Sequence, residues 1–161
     1  MKEDGYILID NGDGQTLGVA ENSRVQILTV DGYAFKDFLG TGELVPYEDW
    51  RLSYEERAKD LAERVAIEDI AGLMLYSAHQ LIPAKGPLAA AFGGTYDGKS
   101  YEESGVAPWE LTDQQKEFIE KDKVRHVLIM SLENTETAVR WNNKIQALAE
   151  NSGFGIPANN S

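Results

Sequence analysis

Val124-Arg125-His126-Val127-Leu128-Ile129-Met130 is the stretch that decides the fold class. It is a short, mostly apolar run, the pattern of a strand covered on both faces, and such strands belong to parallel sheets. Arg125 and His126 stand at its start, where polar groups are expected to reach solvent. Just upstream, Leu111-Thr112-Asp113-Gln114-Gln115 has the spacing of a capping box, with Phe118 and Ile119 as the apolar positions of a short helix. Downstream, Asn134 or Thr135 can cap a helix whose buried stripe is Ala138, Trp141, Ile145 and Leu148. Gly153 suits the left-handed stop of that helix, and Gly155-Ile156-Pro157-Ala158-Asn159-Asn160 reads as the entry into another strand. The same alternation occurs earlier. Ser53 and Glu56 form a capping box, and Leu61, Ala62, Val65 and, after a break near Ile67, Ile70 line one helix face. Gly72-Leu73-Met74-Leu75-Tyr76 then reads as a buried strand. Strands alternating with helices predict an α/β architecture with right-handed crossovers.

Residues 1 to 50 have a different character. Tyr6-Ile7-Leu8-Ile9 and Val25-Gln26-Ile27-Leu28-Thr29-Val30 read as strands, each followed by a turn, Asp10-Asn11-Gly12-Asp13-Gly14 and Asp31-Gly32. Gly12, Gly14 and Gly18 do not make a phosphate loop, because no helix opens behind them to present its N-terminus to an anion. The expected organisation is a small β-rich lead-in over 1–50 and an α/β portion over 51–161. From Leu81 to Pro108 periodicity gives way to glycine and proline, which fits either a loop covering a site or a disordered surface insertion.

With 161 residues the chain makes one domain, or one with a small appendage. The absence of cysteine excludes disulfides, thiolate nucleophiles and iron–sulfur clusters. Fifteen basic residues against 27 acidic give a net charge of −12, a field that repels phosphate backbones, so nucleic acid is not expected as a partner. No run approaches the ~20 apolar residues of a membrane span. Met1-Lys2-Glu3-Asp4 lacks the basic and apolar regions of an export signal, so a cytoplasmic location is expected, and the glycosylation pattern Asn159-Asn160-Ser161 is discounted with it.

Two stretches carry a family resemblance. Phe35-Lys36-Asp37, then Gly42-Glu43-Leu44-Val45-Pro46-Tyr47-Glu48-Asp49-Trp50-Arg51-Leu52 and Glu56-Arg57-Ala58-Lys59-Asp60-Leu61, resembles the entry into the N-terminal domain of glycoside hydrolase family 3, the beta-glucosidase family. Leu111-Thr112 to Leu128, Trp141-Asn142-Asn143-Lys144-Ile145-Gln146-Ala147-Leu148-Ala149-Glu150 and Gly155-Ile156-Pro157-Ala158-Asn159-Asn160-Ser161 resemble the first part of that domain's barrel. The likeness runs from around Val30 onward and is specific in order and spacing. It implies the opening segment of a (β/α)8 TIM-type barrel, a fold of about 250 residues whose site lies at the C-terminal ends of its strands. It also implies retaining, exo-acting hydrolysis of β-linked glucosides, by an aspartate nucleophile and a glutamate acid/base about 5–5.5 Å apart. In the family both lie farther along, so no catalytic residue is assigned here and the chain alone is expected to be inactive. No cofactor is implied.

The expected substrate-binding residues are His79 after the first strand and Asn159, Asn160 and Ser161 at the third; Ser77, Gln80 and Ser131 share that face. His126 precedes its strand and is not a candidate for catalysis. The expected partners are a carbohydrate in the full-length protein and either the rest of the barrel or a second copy. A non-catalytic, self-associating α/β binding module is the competing reading.

The loop from Asp37 to Glu48 carries a separate signal. Asp37, Gly42 and Glu48 fall at the first, sixth and twelfth positions of an EF-hand calcium loop, which makes Asp37, Thr41, Glu43 and Glu48 the candidate ligands. Leu39 and Val45 occupy positions where oxygen donors are needed. The simpler expectation is a turn in which Asp37, Glu43 and Glu48 are largely solvated.

Overall fold

A computed structural model describes residues 2–3, 5–153, 155 and 159–160. It divides into two compact units, Met1–Ala66 with Gly153–Gly155, and Ile67–Ser152 with Ile156–Ser161.

The first unit is built from β-hairpins. Strands β1 (Lys2–Glu3), β2 (Tyr6–Ile9) and β3 (Leu17–Ala20) form an antiparallel sheet, and β4 (Gln26–Val30) pairs with β5 (Tyr33–Asp37). Val30 faces Tyr33 across the two-residue turn Asp31-Gly32. Both turn residues have positive φ, 53° and 84°, as the tight turn matching strand twist demands. The two β-layers are joined through Asn11. Its Oδ1 accepts from the Ala34 amide at 2.7 Å, while its Nδ2 donates to Ala34 O at 3.1 Å and Gln15 O at 2.8 Å. Trp50 covers this junction: it stacks on Phe35 at 5.3 Å, meets Tyr33 edge-on at 5.5 Å and donates its indole N–H to Ala34 O. Gly14 is required by this packing, since a Cβ there would lie 2.4 Å from the Trp50 ring.

Helix α1 (Tyr54–Ala62) starts at the expected place, with the Ser53 hydroxyl accepting from the Glu56 amide and the Glu56 carboxylate accepting from the Ser53 amide. It belongs to the first unit because Arg57 donates to Tyr47 O and Asp60 accepts from the Tyr47 amide.

The second unit contains the parallel strands. Its elements are α2 (Ile67–Leu73), β6 (Gln80–Ile82), α3 (Ala89–Phe92), α4 (Tyr101–Ser104), α5 (Asp113–Glu120), β7 (His126–Val127), β8 (Ile129–Leu132), α6 (Thr135–Glu150) and β9 (Asn159–Asn160). The decisive stretch therefore forms β7 and β8. On one edge β6 pairs with β8 and Tyr76 bridges His126; on the other β9 pairs with β7; all are parallel. Val127 and Ile129 face a core in which α5 supplies Ile119 and α6 supplies Trp141, Ile145 and Ala149, with Ile82 from β6 and Leu111 from just before α5.

Three expectations fail locally. Gly72 and Leu73 close helix α2 instead of opening a strand, and Met74, expected in a covered strand, is 77% exposed. A short apolar run does not distinguish strand from helix, and the missing Cβ of Gly72 lets the helix lie on Asp122 and Lys123, where a Cβ would come within 2.5 Å. Arg125 is buried, not solvated: it donates to Ile119 O and Val124 O and to Ser152 O and Oγ, satisfying carbonyls at the ends of α5 and α6. The buried stripe of α6 is Thr137, Trp141, Ile145 and Ala149, with Asn134 as its cap, so Ala138 and Leu148 sit at its margins.

The segment from Leu81 to Pro108 is packed rather than a loose insertion. Asp113 accepts from Thr95 Oγ1 and from the Asp97 and Gly98 amides, which hold its carboxyl below the usual range, and the Tyr96 hydroxyl accepts from the Ala84 amide.

Asn11→Ala removes three bonds at the junction of the hairpins and leaves the Ala34 amide without its partner inside the unit, while the Ala34 carbonyl keeps only the Trp50 indole. Its expected cost is about 1–3 kcal/mol in chemical denaturation. Asn11→Asp is expected to destabilise as well, because it turns a second acceptor toward Ala34 O and Gln15 O.

Candidate functional site

Ser77 to Gln80, between the Tyr76 bridge and β6, has an interrupted ladder. The Ser77 amide donates to His126 O at 2.9 Å, but the next link is made by its side chain: Ser77 Oγ accepts from the Leu128 amide at 3.0 Å and donates to Ala78 O. Regular pairing resumes with the Gln80 amide on Leu128 O at 2.8 Å. Ala78 and His79 project into solvent at this break. His79 therefore precedes β6 instead of following a strand, because the first expected strand is displaced along the chain.

Gln80 holds the exposed segment from below. It is buried, and its Nε2 donates to Ala78 O and His79 O. Its Oε1 accepts from Gln115 Nε2 at 3.2 Å. Gln115 Oε1 in turn accepts from Trp141 Nε1 at 3.1 Å and from the Thr112 amide, and the Gln115 amide donates to Thr112 Oγ1. A connected polar chain thus runs from the Ala78 and His79 carbonyls to the N-terminus of α5 and the middle of α6. The capping box was legible in the sequence; that Gln115 also binds Gln80 and Trp141 was not, since both partners are distant in sequence.

The other expected residues do not converge with His79. Asn159 and Asn160 pair with His126 and Val127 through their backbones on the opposite edge of the central strand, so a whole strand separates them from the edge that carries His79. Ser161 lies outside the described residues. Ser131 is within β8 and exposed. The C-terminal ends of β6 and β8 carry a pair that sequence reading missed. Lys85 Nζ bonds Glu133 Oε1 at 2.6 Å, which raises the lysine pKa, and the Glu133 amide donates to Ile82 O. Forty-eight positions of sequence separate the two, with no local pattern linking them.

The candidate calcium loop has its own geometry. Asp37 and Glu48 are buried, at 2% and 3% exposure, contrary to the expectation of solvated acids. Asp37 Oδ1 and Oδ2 accept from the Thr41 and Gly42 amides, and Glu48 Oε1 accepts from the Leu39 amide. The carboxylates thus close their own loop. Thr41 and Glu43 are exposed, with Thr41 Oγ1 bonded to Glu43 O. Among the described residues no group of three or more acids and histidines is placed to hold a metal ion. Burial pushes the Glu48 pKa up, opposed by the neighbouring amides and reinforced by the negative charge of Asp37.

No family model matches the chain. Over 140 residues it is 34% identical to the periplasmic beta-glucosidase/beta-xylosidase of Dickeya chrysanthemi, an alignment taking in 86% of this chain and 19% of that protein. The chain is similar to part of a beta-glucosidase. Its resemblance to glycoside hydrolase family 3 rests on this match, and the beta-glucosidase-like chain spans about a fifth of its relative's length. The expected cytoplasmic location is overturned, because the relative is a periplasmic protein. Among the described residues no helix is long and apolar enough to cross a membrane.

Gln115→Leu tests the polar chain. It fits the apolar core in size but leaves buried Gln80 Oε1 and Trp141 Nε1 unpaired, so a loss of about 2–3 kcal/mol is expected in thermal or denaturant unfolding.

Proposed function

We propose that the chain is the N-terminal portion of a retaining, exo-acting beta-glycosidase, beta-glucosidase-like in substrate, and that its second unit is the opening arc of a (β/α)8 barrel. The likeness to a named glycosidase carries this reading. The topology supports it: three neighbouring parallel segments with helices packed on one face are what the start of such a barrel requires. Tyr76 and Met130 are 65% and 46% exposed. Met130 alternates with Ile129, and Tyr76 stacks on His126, which alternates with Val127, so these side chains lie on the sheet face away from the helices. In the proposed whole protein that face is covered by the remaining strands, and the compartment is the relative's, the periplasm.

Hydrolysis with retention needs a nucleophilic carboxylate and a protonated acid about 5–5.5 Å apart across the glycosidic bond. In the second unit Glu133, at the C-terminal strand ends, is tied to Lys85 by an ion pair and has no second carboxyl assigned beside it. The nucleophile and acid/base are assigned to the part of the relative outside the alignment, and the 161-residue chain by itself is read as inactive.

The 161-residue chain is expected to release no aryl alcohol from an aryl β-glucoside above the uncatalysed rate, and to regain turnover when the rest of a family 3 glycosidase is supplied as a separate polypeptide. Turnover by the chain alone overturns the assignment of the carboxyls. The exposed apolar face also favours a second reading, a self-associating α/β binding module. Under that reading light scattering shows a defined oligomer that Met130→Glu dissociates, and the added polypeptide restores nothing.

A further inference from the structure

We propose that Lys85 and Glu133 form a sugar-binding site, in which the ion pair grips two neighbouring hydroxyls of a neutral pyranoside. That the ligand is a sugar rests on the glycosidase reading; the placement and charge of the site are this chain's own.

The two residues stand on the first turns of two separate strand-to-helix connections. Glu133 follows β8 directly and Lys85 follows β6 by three residues, so the parallel pairing of these strands brings them to one rim. It is the C-terminal rim, where a barrel carries its ligands. Both backbones are fixed there. The Glu133 amide donates to Ile82 O at 3.0 Å, and Asn134 beside it caps α6 by accepting from the Thr137 amide. The Lys85 amide donates to Pro83 O at 2.9 Å, and the Ala84 amide donates to the hydroxyl of buried Tyr96 at 3.0 Å. Side chains on such supports need less ordering when a ligand arrives.

The pair has bonding capacity to spare. Lys85 Nζ donates to Glu133 Oε1 at 2.6 Å, while Glu133 Oε2 and the other two ammonium N–H groups bond to no other described residue. Both side chains are partly exposed, so a ligand can reach them.

What such a pair binds follows from its two signs. An anion drawn to Lys85 meets the Glu133 carboxylate, and Glu102 adds to the negative surroundings of the lysine. A cation drawn to Glu133 meets the ammonium. A hydroxyl is donor and acceptor at once. Of two hydroxyls on adjacent ring carbons, one donates to Oε2 while the other accepts from Nζ, and both bonds are charge-assisted. The net charge of −12 repels phosphorylated sugars as it does nucleic acid.

An NMR titration of the intact 161-residue chain with methyl β-glucoside tests the site, followed at the Glu133 carboxyl carbon, the Lys85 side chain and the two amides. A saturable shift of these signals is expected. Lys85→Met, which keeps the apolar stem, and Glu133→Gln are each expected to weaken binding about tenfold, the worth of one hydrogen bond to a charged group. An exposed ion pair contributes little to folding, so both variants are expected to keep the parent's thermal midpoint. Cyclohexanol, whose single hydroxyl cannot bridge the pair, is a second probe on the unmodified chain and is expected to leave the signals unmoved. No shift with the glucoside, an equal shift with cyclohexanol or inorganic phosphate, or unweakened binding in either variant overturns the site. The glycosidase reading fails separately. Turnover after reconstitution without these shifts removes the site and keeps that reading, whereas the shifts without turnover keep the site as a sugar-binding surface and remove the reading.

Discussion

The second unit depends on one packing constraint, the seating of Val127 and Ile129 between α5 and α6. A parallel strand has no hairpin to hold its register, so its position is set by what its side chains bury and by the helices that return the chain to the next strand. Trp141, Ile145 and Ala149 recur every four residues along α6, and Ile119 meets them from α5. Each of these side chains removes apolar surface from water without a polar atom to satisfy, apart from the Trp141 indole. Gln115 takes that one N–H, and through Gln80 it ties the break in the first parallel segment to the same core. The polar chain adds specificity to an apolar contact that any similar helices could make: only one rotation of α6 brings the indole N–H to Gln115.

The parts of the fold legible in the sequence are those whose signal is local. The Ser53 and Thr112 capping boxes, the Asp31-Gly32 turn and the long α6 each depend on residues within a few positions of one another. Gly72 to Tyr76 misled because apolarity alone was read as a buried strand, while the fit of Gly72 against Asp122 and Lys123 is a contact between segments about fifty residues apart. Arg125 misled for the opposite reason. An arginine is rarely so fully buried, but Nη1 and Nη2 here meet Ile119 O near the end of α5 and Ser152 O and Oγ just past α6, and neither end is visible from the sequence around Arg125.

For the candidate site the same boundary holds. The resemblance was legible in ordered motifs, yet the placement of His79 turned on where the first strand begins, and a shift of a few residues moved it from one side of an element to the other. The Lys85 and Glu133 pair had no sequence signal, because what brings them together is the parallel pairing of β6 with β8. The EF-hand spacing was real as a pattern, but the pattern does not report which atoms the carboxylates face. Loop amides claim both oxygens of Asp37 and one of Glu48, and that is enough to turn a ligand array into a closure.

A parallel sheet needs both faces covered, since its strands carry apolar side chains on each side. In the second unit α5 and α6 cover one face, while Tyr76 and Met130 stand on the other with the His126 ring against Tyr76. The core side alone must then offset the ordering of the backbone for the whole unit, including the long segment that Asp113 pins between β6 and α5. A contact that covers the open face adds burial at little further entropic cost, because the strands beneath it are already ordered. The same physics applies whether the cover is more of the same polypeptide or a second copy.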